Sequence, residues 1–116
     1  MDLGPRSLLV RRAETFLARL KGLLLAPPLP PGEGLLLDPC NSVHTAFMRH
    51  PIDVVFLDRA GRIEKIVPRL APWRLAACLA AYQTLELAAG EAERLGLVPG
   101  ESLAGCLAPC LEEHSA

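Results

Sequence analysis

The stretch "CNSVHTAFMRHPIDVVFLD", Cys40 to Asp58, gathers a thiol, an amide, hydroxyls, two imidazoles and carboxylates. These are the groups of acid–base, nucleophilic and metal chemistry. His44 leads them. In an extended chain side chains alternate between two faces, which groups Ser42, His44, Ala46 and Met48 against Val43, Thr45 and Phe47. An imidazole beside Ser42, within reach of Cys40 and Asn41, can act as general acid or base or ligate a metal. The competing reading is a half-buried ring bonded to a loop carbonyl.

Asp53 follows Pro51 at the start of the most apolar run, where a carboxylate is a poor core choice. It could orient His44 or pair with Arg49, or it could accept backbone N–H groups and pin the Pro51 turn. Glu86 interrupts the apolar "LEL", and alternation sends it to solvent unless it faces His44 or Asp53 across a sheet. The four cysteines, Cys40, Cys78, Cys106 and Cys110, form no C-x-x-C pair. "CLAPCLEEH" spaces Cys106, Cys110 and His114 four apart, but Pro109 works against the helix that would align them. The reading is therefore no metal and no cofactor. A Cys40–Cys78 or Cys106–Cys110 disulfide is an open alternative. Phosphate-loop, G-x-S-x-G and H-E-x-x-H motifs are absent.

The elements that must position these residues are short. "SLLV" reads as an opening strand. Ala13, Phe16, Leu17 and Leu20 make an apolar stripe on a helix that Gly22 caps. "EGLLLDP" is a buried strand, and "IDVVFLD" and "RIEKIV" form a hairpin through "RAG". "PRLAPW" is a loop, "RLAACLAAY" is ambiguous, and "QTLELAAG" is a strand with Leu85 and Leu87 on one face. "GEAERLGL" is a brief helix with acids near its N-terminus, and "VPGESLAG" turns into a last short strand. Several strands with two short helices give an α+β fold, a compact, mostly antiparallel, barrel-like sheet. The 116 residues form one domain.

Composition narrows the function. A net charge of -1 offers no basic surplus for nucleic acid. No run reaches the length of a membrane span, and no signal peptide opens the chain, so the expected location is the cytoplasm. Asn41 is the only Asn and Gln83 the only Gln, a pattern of thermophilic proteins and equally of GC-rich genomes.

"RLKGLLL", "GLLLDPCNSVHTAFMRHPIDVVFLDRAGRI" and "LELAAGEAERLGLVPGESL" together resemble the domain of unknown function 192 family over about residues 13–103, leaving 104–116 as a tail. The resemblance implies a mostly β domain of α+β type and brings no activity with it. Asn41, His44, Met48, Asp53, Glu86 and Gly90 match the family's motifs. Ala46 stands where the family usually carries an aromatic, and His50 is peculiar to this chain.

Two functions follow from these residues. One is a binding module for a small molecule or protein partner, working as a monomer or small homo-oligomer. Its pocket would be lined by Asn41, Ser42, His44, Met48, Asp53 and Glu86. The other is an enzyme using His44 as acid–base, with Asp53 orienting it and Cys40 or Ser42 nearby. A wholly structural motif is the third reading.

Overall fold

A computed structural model of the chain describes residues 8–12, 29–45 and 48–107. The expected helix over Ala13–Gly22, together with Ala46, Phe47, Cys110 and His114, lies outside them. Seven strands run β1 (Leu9–Arg12), β2 (Glu33–Leu37), β3 (Ser42–His44), β4 (Ile52–Leu57), β5 (Ile63–Leu70), β6 (Leu75–Ala77) and β7 (Gln83–Ala88), followed by helix α1 (Glu91–Arg94). A further helical turn spans 104–107.

Five strands pair in the order β1-β2-β7-β4-β5, and β3 and β6 pair as a separate ribbon. The larger sheet is antiparallel except for β1 alongside β2. Among the described strands the order is open, with β1 and β5 at its edges, and no sheet closes into a barrel.

β4 and β7 are central because both of their faces are covered. Val55, Leu57, Leu85, Leu87 and Leu36 meet Ala92, Leu95, Leu97, Leu103 and Leu107 on one side. Ile52, Val54, Phe56 and Leu37 meet Val43, Met48, Leu70, Ala76 and Ala81 on the other. Such double coverage explains why "IDVVFL" is buried at every position. It also corrects the expectation for Glu86, which is buried rather than solvent-facing.

The hairpin forms as read. Asp58 accepts from the Ala60 and Arg62 N–H groups, both at 2.9 Å, and Gly61 takes φ 88°. Its return strand runs further than expected, through Pro68 to Leu70, because β5 is an edge strand where a missing N–H is tolerated. The register slips there, from Val54 opposite Val67 to Ile52 opposite Leu70, and Arg69 bulges out at φ 47°. Gly34 lets β2 lie flush on its neighbour, since a Cβ there would stand 2.9 Å from Leu85 Cδ1 and Leu87 Cδ2. The expected last strand reduces to a single bridge between Arg62 and Ser102. Among the described residues no helix is long and apolar enough to cross a membrane.

Candidate functional site

Asp53 is fully buried, and its carboxylate is committed to backbone. Oδ1 accepts from Arg69 N at 2.8 Å and Gly90 N at 3.1 Å, and Oδ2 accepts from Ala92 N at 2.7 Å. It therefore holds the β5 bulge and caps α1 from another strand. The helix needs this, because Gly90 at its N-cap has no side chain to cap with. The turn that Asp53 pins is at Gly90 and Arg69, not at Pro51. Gly90 sits at φ 91°, and a Cβ on it would approach the Arg69 guanidinium at 3.3 Å.

His44 stands elsewhere. Val43 and Thr45 turn inward, while Ser42 and His44 face solvent from the outer side of the ribbon. Opposite them on β6 are Ala77 and Leu75, also exposed. Asp53 lies on the α1 side of the large sheet, and Val43, beside His44, packs on the other side. The sheet separates the two residues, and no His44–Asp53 pair is assembled. Met48 also departs from the face expected for it. The chain turns after Thr45, where Met48 N donates to Thr45 O at 3.1 Å, and Met48 enters the core beside Val43. Glu86 is buried on β7, directly across from Val54 and Leu35.

Thr45 is the residue that sequence reasoning passed over. It is fully buried. Its hydroxyl donates to Ala71 O at 2.6 Å and accepts from Arg74 N at 2.8 Å, and its carbonyl accepts from Trp73 N at 3.0 Å. This clamp holds the 71–74 turn, in which Trp73 adopts φ 63° and leaves 59% of its surface in solvent. A bulky residue at positive φ is a costly backbone state. Just after this turn Leu75 is 73% exposed and pairs with the exposed His44 on the outer ribbon face.

Asn41 belongs to a third place, the end of the large sheet where β2 leaves and β7 enters. A cleft of about 240 Å³ there is lined by Pro39, Cys40, Asn41, Ala81 and Tyr82. Cys40 donates its thiol to Ser42 O at 3.1 Å, and Cys40 and Cys78 are free thiols. Among the described residues no three His, Cys, Asp or Glu side chains gather into a set that could hold a metal ion. The predicted site residues thus occupy three places: Asn41 the cleft, Ser42 and His44 the outer ribbon face, and Met48, Asp53 and Glu86 the interior.

The family model DUF192, described as "Uncharacterized ACR", matches residues 2–105. The chain belongs to the DUF192 family. Two solved structures resemble the DUF192 chain. One is described as a "putative transcription regulator" from Sinorhizobium meliloti 1021. It has 26% identity and a TM-score of 0.69, covering 78% of this chain and 76% of that one. The other is a protein of unknown function from Novosphingobium aromaticivorans DSM 12444. It has 26% identity and a TM-score of 0.67, covering 80% and 71%. No curated protein matches. In this DUF192 chain the signal that could have exposed Thr45 is weak: a polar residue with inward parity, one step from a His that faces out.

Proposed function

We propose that this DUF192 protein is a binding module that holds a protein partner on the outer face of the β3–β6 ribbon. The observation that carries the reading is Trp73, kept exposed in an unfavourable backbone state by the buried Thr45 clamp. Folding alone would be better served by a glycine or asparagine in that conformation. Strain maintained by a dedicated clamp is most economically explained by use of the ring. Trp is the side chain most enriched where binding energy concentrates, and the exposed Leu75–His44 pair follows its turn on the ribbon. Arg74, which bonds Trp73 O at 3.2 Å, adds a cation at its margin. The chain's net charge of -1 favours a protein over a nucleic acid as partner. That one structural neighbour is described as a "putative transcription regulator" is compatible with an activity exerted through partner contacts. The setting of this module is the cytoplasm, as a monomer or small homo-oligomer.

The enzymatic reading, with Asp53 orienting His44, draws no support from their separation by the sheet. A photo-crosslinking side chain at Leu75, with Val98 as an exposed apolar control, tests the proposal. A partner should be trapped from position 75 only. Once purified, that partner should bind the Leu75→Glu protein roughly thirtyfold more weakly, the loss typical of a central interface residue. Identical adducts from both positions, or unchanged affinity, would end the reading.

A further inference from the structure

Two neighbouring clefts at the end of the large sheet share Ala81 and Tyr82 in their walls. One is the Asn41 cleft of about 240 Å³. The other, of about 460 Å³, is lined by Asp58, Arg59, Ala60, Ala80, Ala81 and Tyr82. The Arg59 guanidinium lies over the Tyr82 ring, 3.9 Å from its centroid.

The walls of these clefts are tied down at the backbone. Tyr82 N donates to Leu57 O and Cys40 N to Tyr82 O, both at 2.8 Å, and Cys78 N donates to Asn41 O at 2.9 Å. The Gln83 amide donates to Asp58 O at 2.9 Å, joining the start of β7, next to Tyr82, to the turn that bears Arg59. The single Gln and single Asn of the chain therefore both serve this end of the molecule.

While the walls are fixed, several side chains that face the clefts are not hydrogen-bonded to other described residues. The Asn41 amide, the Tyr82 hydroxyl and the Arg59 N–H groups make no hydrogen bond to any described residue. The carboxylate nearest to Arg59 in the chain, Asp58, spends Oδ1 on two backbone N–H groups of its own turn. A guanidinium stacked on an aromatic ring keeps its in-plane N–H fork free for a bidentate carboxylate. The remaining lining is mostly methyl-sized, Ala60, Ala80 and Ala81, which leaves space for a flat body beside the Arg59–Tyr82 stack. Asn41 offers a donor and an acceptor to that body's far edge.

We infer that the Tyr82 clefts form a binding site for a small aromatic carboxylate, with the carboxylate on Arg59, the ring alongside the Arg59–Tyr82 stack and a polar substituent or ring nitrogen on Asn41. This site is separate from the outer ribbon face, so the two proposals fail independently.

The test is amide chemical-shift titration of the full chain with benzoate, nicotinate and 4-hydroxybenzoate. Benzamide serves as the uncharged control and acetate as the ringless one. At least one aromatic carboxylate should give saturable shifts at Asn41, Ala60, Ala81 and Tyr82. Affinity should fall about tenfold or more in Arg59→Ala, whose exposed turn position keeps the fold intact, and also for benzamide and acetate. Nicotinate should in addition lose affinity in Asn41→Ala. The inference is overturned if all three carboxylates fail to saturate at millimolar concentration, or if acetate matches them. Unchanged affinity in Arg59→Ala would overturn it equally.

Discussion

Replacing Asp53 by Asn removes one oxygen and one charge while changing almost no volume. In the native protein Oδ1 serves the Arg69 and Gly90 N–H groups and Oδ2 serves Ala92. The best Asn rotamer keeps its oxygen at the Oδ1 position and turns NH₂ toward the Ala92 N–H, donor against donor. Orphaning that buried N–H costs about 1–3 kcal/mol. The two surviving bonds lose their charge assistance, falling by about 1 kcal/mol each. The sum is about 3–5 kcal/mol, a large share of the roughly 5–15 kcal/mol that holds a domain of ordinary size. Urea unfolding followed by circular dichroism reads the total. Native-state hydrogen exchange reads its location, with Ala92, Gly90 and Arg69 losing protection first. A loss below about 1 kcal/mol, or uniform loss of protection without priority for these three amides, would refute the capping role assigned to Asp53.

Thr45→Val keeps the shape but orphans the Arg74 N–H, so stability should fall by about 1–3 kcal/mol. Trp73 fluorescence should shift as its turn loosens. Gly34→Ala should cost about 1–3 kcal/mol by overpacking against Leu85 and Leu87, read as a lower urea midpoint. Leu75→Glu, by contrast, should leave that midpoint within about 0.5 kcal/mol of the parent, as the side chain is already largely in solvent. Glu91 gives a pH dependence. Its carboxylate bonds the Arg94 guanidinium and accepts from Gly32 N at 2.6 Å, and the Arg94 bond above all holds its pKa below the ordinary value of 4.5 despite burial. A depressed folded-state pKa stabilises the protein above the unfolded value and ceases to do so as pH falls through the folded one. The parent should therefore lose stability on acidification below 4.5 more steeply than Glu91→Gln, measured by urea midpoints across that range.

The β4–β5 hairpin was legible because a continuous apolar run, a "DRAG" turn and an apolar return all agree locally. The β7 strand was legible in extent but not in environment. Thr84 and Glu86 alternate with leucines in a way that implies one wet face, yet strands on both sides and two core layers bury both residues. Parity counted from His44 failed at Met48 because it assumes an unbroken strand, and this one turns after Thr45. The role of Asp53 was half visible. An acid in an apolar strand advertises backbone partners, but those partners lie 16 to 39 residues away and no local pattern names them. Asn41 stands out in the sequence as its single Asn, but nothing local points to its neighbour in the cleft, Tyr82. Contacts between the end of one strand and the entrance of another depend on strand order, which periodicity does not encode.

The strand order also sets a sequence of events during synthesis. β7 sits at the middle of the large sheet between β2 and β4, but it is the last strand of that sheet to be made. Until residues 83–88 leave the ribosome, β4 can pair only with its hairpin partner β5, and β2 only with β1. Two largely apolar strands with unpaired edges then wait for the one strand that joins them, and such edges recruit strands from other chains. A nascent chain arrested just before Gln83 would carry both sticky edges at once, so swift completion or a holding chaperone over that interval is built into the topology.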